Sequence, residues 1–254
     1  MRSSWLKISL TGLASVMVAG ALSASVRAAE VKVAVAANFT DAVKEIGALF
    51  EKASGHTAVF SFGPTGGLYN QITQAAPFEM FLSADRSTPA KAVKEGHAVE
   101  GSAFTYATGK LVLFSKTEGL TLGQSTLKEG KFTKIAIANP KTAPYGIAAV
   151  EVMEKLGVYD ALKGKIVEGN NIAQAYQFVD TANAEVGFVA FAQVALKPGG
   201  SRWVVPPNMY KTIAQDAVLL KTGANNDAAK AFLTFLKGSQ ARKVIEKYGY
   251  GFAD

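Results

Sequence analysis

The chain has 254 residues, with 27 Lys and Arg, 20 Asp and Glu, two histidines and no cysteine. The lack of cysteine excludes disulfides, thiolate metal ligands and a lipid-carrying cysteine behind an export signal. The formal charge of +7 is interspersed with acidic neighbours, as at Lys44/Glu45, Glu51/Lys52 and Lys243/Glu246/Lys247, and forms no basic run or aromatic-interleaved stripe of the kind nucleic acid requires.

Arg2 and Lys7 precede an apolar stretch over 8–22, and Val26-Arg27-Ala28 places small residues where a signal peptidase reads. Residues 1–28 are therefore predicted to be a secretory signal that is removed on export. The alternative, an uncleaved anchor, needs about 20 apolar residues and no cleavage signature. Loss of Arg2, Lys7 and Arg27 lowers the formal charge from +7 to +4, a balance that helps attract small anions but decides nothing alone. With 49% hydrophobic residues, the remainder suits one large or two modest domains.

Val31, Val33 and Val35 mark a short β-branched run over 31–36, and Ala42, Ile46, Leu49 and Phe50 then recur at helical spacing over 40–53. A second strand is expected over 57–62, then a Gly-rich turn, a helix beginning with Leu68, Ile72 and Ala75, and a third buried strand over 78–83 closed by Ala84 and Asp85. After Tyr106, strands are expected over 111–114, 135–138 and 185–189, with helices over 146–156 and 172–182 between the last two. Residues 217–220 read as a further strand, followed by a polar turn and terminal helices over 227–236 and 239–248. This alternation predicts an α/β fold of doubly wound, mostly parallel sheets. No Pro/Ser-rich linker separates the halves, so the chain is expected to cross on strands, with domain I over 29–108 plus 213–254 and domain II over 109–212.

Four neutral junctions stand where an apolar run gives way to a helical pattern: Ala37-Asn38-Phe39-Thr40, Pro64-Thr65-Gly66-Gly67, Pro144-Tyr145-Gly146 and Asn170-Asn171-Ile172. The first N–H groups of a helix are unpaired and carry partial positive charge, so several such ends aimed at one point bind an anion without Lys or Arg. Each junction also has a plain structural reading. Asn38, with Asp41 three residues later, resembles an N-cap arrangement. Gly66 and Gly67 suit any strand-to-helix turn, Tyr145 suits a packed anchor, and Ile172 suits simple core. What favours a site is placement at the carboxyl ends of strands, two in each half, where open α/β sheets hold ligands in a cleft.

The blocks 33–42, 61–68, 78–85, Asn139-Pro140-Lys141-Thr142-Ala143-Pro144-Tyr145-Gly146 and Lys247-Tyr248-Gly249-Tyr250 resemble the periplasmic molybdate-binding proteins of ABC importers. The resemblance runs through essentially the whole chain after the leader. It implies a two-domain, class II periplasmic binding protein with a ligand cleft between the domains. Such a protein closes over one tetrahedral oxyanion, molybdate or tungstate, needs no cofactor, and delivers the anion to a membrane permease with its ATPase. Family contacts carried over position by position fall on Asn38, Thr65, Tyr145 and Ile172, as ligands of the anion's oxygens rather than of a bare metal ion. Asn38 also offers an amide donor, and Ala37 just before it is placed to lend an N–H. One departure stands out: some members carry a Tyr after the Gly-x-Val strand whose hydroxyl meets the anion, and here Gly187-Phe188-Val189 is followed by Ala190. Tyr145 stands where those members have Ala, so its phenol is expected to supply the missing donor.

A donor-only site suits a fully deprotonated dianion, whereas hydrogen phosphate calls for an acceptor among the donors. Asp41 is the one carboxylate near the junctions and is expected to cap a helix. Sulfate satisfies the same rule, so a binding protein for sulfate or another oxyanion is the main alternative. A secreted hydrolase has less behind it, since a nucleophile, a base and an orienting partner must converge. His56 and His97 lie in polar, Gly-adjacent stretches expected at the surface, and Asp85 reads as a turn or cap residue. There is no Gly-x-Ser-x-Gly elbow and no spaced His/Glu pair for zinc. The chain is accordingly expected to be a binding protein and not an enzyme, and nothing in it demands more than a monomer.

Overall fold

The computed structural model describes residues 28–252, so the expected leader lies outside the described residues except for its last position. Strand β1 (Glu30–Ala36) is followed by helix α1 (Thr40–Ser54), β2 (Thr57–Gly63), α2 (Thr65–Thr73), β3 (Met80–Leu82), α3 (Ser87–Lys94) and β4 (Phe104–Gly109). The side chains of β1 alternate between two cores. Val31, Val33 and Val35 pack with Phe39, Phe50 and Phe232, while Ala34 faces Leu68, Tyr69 and Phe81. A strand buried on both faces is what a parallel sheet covered by helices on either side requires. Helix α1 stops at Gly55, whose left-handed φ of 73° lets its N–H return to the Glu51 carbonyl.

The chain then passes through Lys110 alone into β5 (Leu111–Ser115), and continues with α4 (Gln124–Glu129), β6 (Ile135–Ala138), α5 (Pro144–Lys155), α6 (Tyr159–Leu162) and β7 (Ile166–Gly169). Helix α7 (Ile172–Asp180), β8 (Val186–Ala190), α8 (Phe191–Val194) and β9 (Ser201–Val204) complete this half. The return is made on β10 (Ile213–Leu219), followed by α9 (Asp227–Lys237) and α10 (Ser239–Lys247).

Two five-stranded sheets result, ordered β2-β1-β3-β10-β4 and β7-β6-β8-β5-β9. They share one plan. In each, three neighbouring strands run parallel, and the fourth is antiparallel to both of its neighbours. That reversed strand is the one delivered from the other sheet: β5 follows β4, and β10 follows β9. Crossing on strands thus builds the two-domain α/β arrangement and sets the carboxyl ends of β1, β2, β6 and β7 around one cleft. The sheets contain three strands that the apolar pattern does not announce, β4, β7 and β9, and all three are edge strands. The third strand is shorter than the expected 78–83, and β10 begins four residues before the expected 217.

Candidate functional site

The four junctions meet. Ala36, Ala37 and Asn38 after β1, Gly63, Pro64 and Thr65 after β2, Ala143, Pro144 and Tyr145 before and in α5, Asn171 and Ile172 at α7, and Ala84 after β3 line one tight pocket, with a cavity volume of only about 10 Å³. Nine of these twelve residues are buried, including Asn38, Thr65, Tyr145 and Ile172 at 2–4% exposure, and among the described residues no charged side chain lines the pocket. Helices α2 and α5 start there with no side-chain cap, so their first N–H groups are left for another acceptor. Two are already used: the Gly66 N–H donates to Thr142 O at 2.9 Å and joins the two sides of the cleft, and the Gly146 N–H donates to Ala143 O at 2.9 Å, while Pro144 has none to offer. At α7 the Asn171 side chain accepts from the Gln174 N–H at 3.0 Å, leaving the earlier N–H groups of Ile172 and Ala173 uncapped.

The hydroxyls are already used as acceptors. Thr65 Oγ1 accepts from the Ala84 N–H at 3.0 Å, and Tyr145 Oη accepts from Gln215 Nε2 at 3.1 Å. Among the described residues neither hydroxyl hydrogen has an acceptor, so what each offers is a donor. Burial first, and the neighbouring Tyr250 next, push the Tyr145 hydroxyl well above its ordinary pKa, so the phenol keeps its hydrogen. Asn38 is spent differently: its amide donates to Gln215 Oε1 at 2.8 Å and to Tyr250 Oη at 3.0 Å. Both amide hydrogens are committed to the protein, which leaves the backbone at this turn as its donor to the pocket.

A model of the bacterial extracellular solute-binding proteins matches residues 31–251. The chain belongs to this family. The molybdate-binding protein ModA of Rhodobacter capsulatus is 56% identical over 245 residues, 96% of each chain. That of Azotobacter vinelandii is 54% identical over 250 residues, 97% of this chain and 99% of the other. Among solved structures, the Azotobacter vinelandii periplasmic molybdate-binding protein superposes with a TM-score of 0.85 at 40% identity, covering 88% of this chain and all of that one. The sulfate-binding protein SubI of Mycobacterium tuberculosis, at 13% identity and a TM-score of 0.72, shares the fold.

Several local expectations change in this solute-binding protein. Asn38 is not an N-cap: it lies inside a short 3₁₀ turn, Ala37–Phe39, and α1 begins after it without a side-chain cap. Asp41 is exposed in the first turn of α1, where a carboxylate favours the helix dipole without capping it. His56 is buried, not at the surface, because its Nδ1 accepts the Ala29 N–H at 3.2 Å and its ring lies beside Phe50; His97 is half-buried against Tyr69. Asp85 serves the turn into α3, accepting from the Thr88 N–H at 2.7 Å and the Thr88 hydroxyl at 3.0 Å. Ala190 ends β8 fully buried and is not among the residues lining the pocket. Gln215, Tyr106 and Tyr250 are the components that local sequence reasoning misses. The available signal was a Gln-Asp pair interrupting an apolar strand at 213–219.

Proposed function

We propose that the protein captures molybdate, and tungstate of nearly the same size, in the periplasm and passes it to an ABC permease with its ATPase. The observation that carries this reading is the polarity of the pocket. Uncapped helix starts and two hydroxyls, each already accepting one hydrogen bond and with its own hydrogen uncommitted, give a donor-rich lining in a space without a carboxylate. Such a set favours a fully deprotonated tetrahedral dianion and penalises hydrogen phosphate, whose proton finds no carboxylate to accept it. The names of the two relatives that match nearly the full length add the substrate class.

In this reading Asn38 and Ala37 contribute backbone N–H groups, Thr65 its hydroxyl and N–H, Tyr145 its N–H and phenol, and Ile172 its N–H. Tyr145 replaces the Tyr hydroxyl that similar proteins place at Ala190. The functional domains are 29–108 plus 213–254 and 109–212, preceded by a removed leader over 1–28, and the protein acts as a monomer that binds no nucleic acid. Each hydrogen bond to the charged anion contributes roughly 1.5–3 kcal/mol, so several together support sub-micromolar binding after closure costs. A thermal-shift panel with molybdate, tungstate, sulfate and phosphate tests this, since a ligand of the folded state raises its stability. Molybdate and tungstate should raise the melting temperature and phosphate should not. No shift with molybdate, or an equal shift with phosphate, overturns the reading.

A further inference from the structure

We infer that Gln215, which does not touch the pocket, is the positioning residue that fixes the pocket's hydrogen-bond polarity and so its discrimination against protonated anions. This inference rests on the oxyanion reading above and names the residue behind its selectivity.

The polarity can be followed atom by atom from a backbone carbonyl. Tyr250 Oη lies 2.7 Å from Asn38 O, and only the phenol can supply the hydrogen between them. Having donated, Tyr250 must accept from the Asn38 amide, which fixes Asn38 Nδ2 on that side. The second Nδ2 hydrogen then points to Gln215, which must answer with its oxygen. Gln215 therefore presents Nε2 to Tyr145 Oη. Tyr145 accepts that hydrogen, and its own is directed elsewhere. A carbonyl oxygen has no alternative role, so each step determines the next, and the orientations of Asn38 and Gln215 follow from the network.

The fold is shaped to hold this chain of bonds. Gln215 is fully buried on β10, at an irregularity where pairing with β4 moves from Gln215↔Ala107 to Asp216↔Thr105 and skips Tyr106. The skipped Tyr106 brings its hydroxyl within 3.0 Å of both Gln215 Oε1 and Ser83 O. Gly109, at the crossing between the domains, leaves the space in which Gln215 meets Tyr145: a Cβ there would lie 2.1 Å from Tyr145 Oη and 2.7 Å from Gln215 Nε2. The turning of the phenol's hydrogen away from Gln215 thus depends on a residue 70 positions away on the other sheet. Without the Gln215 N–H, the lone pair of Tyr145 that it occupies is also free to accept, and hydrogen phosphate gains a further partner for its proton.

The test is titration of molybdate and inorganic phosphate into the mature wild-type protein, Gln215→Met, Tyr145→Phe and the double variant. Gln215→Met is expected to lower the molybdate-over-phosphate affinity ratio by about tenfold, the worth of one hydrogen bond to a charged ligand. In the Tyr145→Phe background the same substitution should leave the ratio unchanged. Equal weakening of both anions, or the same change in both backgrounds, overturns the inference. If wild type does not bind molybdate, the oxyanion reading itself fails. Should Gln215→Met not fold, a neutron structure of the wild-type molybdate complex decides the point. Gln215 Nε2 deuterated towards Tyr145, with the phenol deuterium on the anion, supports the inference; Gln215 Oε1 facing Tyr145 overturns it.

Discussion

Gly109 offers a perturbation that reaches the site without touching the ligand. It ends β4, one residue before the chain crosses to the second sheet, and its φ is not in the left-handed region, so alanine meets no backbone penalty there. The methyl would sit 2.1 Å from Tyr145 Oη, where real Cβ contacts essentially never fall below 3.0 Å, so the phenol oxygen must retreat by at least 0.9 Å. A displacement of that size breaks a hydrogen bond whose useful distance range spans only about half an ångström. Loss of one hydrogen bond to a charged ligand costs about 1.5–3 kcal/mol, about 10- to 150-fold in Kd. Calorimetric titration of molybdate into Gly109→Ala should show that loss, with an overpacking cost of about 1–3 kcal/mol in thermal or urea unfolding. In the Tyr145→Phe background the hydroxyl is already gone, so Gly109→Ala should cost much less affinity than it does alone. Wild-type affinity in Gly109→Ala, or an equal loss in both backgrounds, would refute the assignment of the Tyr145 phenol to the anion.

Three further outcomes are expected. Thr65→Val should weaken molybdate binding about tenfold or more and cost about 1–3 kcal/mol of stability, because the Ala84 N–H loses its buried acceptor; Thr65→Ser should restore both in titrations and melts, and undiminished binding by the valine variant would remove Thr65 from the site. Burial first, then neighbouring tyrosines, push Tyr106, Tyr145 and Tyr250 well above the ordinary 10.0. A phenol with a raised folded pKa contributes stability that is complete below its unfolded pKa and is lost as the pH rises through the folded one. Molybdate affinity should therefore stay flat from about pH 7 to about pH 9, with tyrosinate absorbance from these rings appearing only on alkaline unfolding; binding that declines across that window would contradict the protonated donor. Gly146→Ala places a Cβ 2.2 Å from Ala138 O and 2.8 Å from Ala138 C, both backbone atoms, so calorimetry should find it less stable by about 1–3 kcal/mol or more, and wild-type stability would show that the α5 start is looser than its packing implies.

The strand-to-helix junctions were legible because their signals are local. Val31, Val33 and Val35 announce a strand, and Ala42, Ile46 and Phe50 announce the helix behind it; the buried face follows the spacing. Thr65, Tyr145 and Ile172 lie at such ends, so their convergence could be anticipated from placement at the carboxyl ends of strands in both halves, together with the family resemblance. The edge strands β4, β7 and β9 were not legible, since a strand covered on fewer sides keeps polar residues such as Thr105, Glu168 and Arg202. The role of Asn38 was misjudged for a different reason. Its partners Gln215 and Tyr250 lie 177 and 212 residues away, and no local pattern distinguishes a cap from a link in a long-range network.

The most direct measurement is an anomalous difference map, recorded at the molybdenum edge, from crystals grown with equimolar molybdate. A single peak is expected in the pocket between Thr65, Tyr145, Ile172 and the Ala37–Asn38 turn, with hydroxyl and backbone N–H groups around it and no carboxylate. No peak there, or a peak instead in the charged depression lined by Arg86, Glu151 and Lys211, would contradict capture by neutral donors.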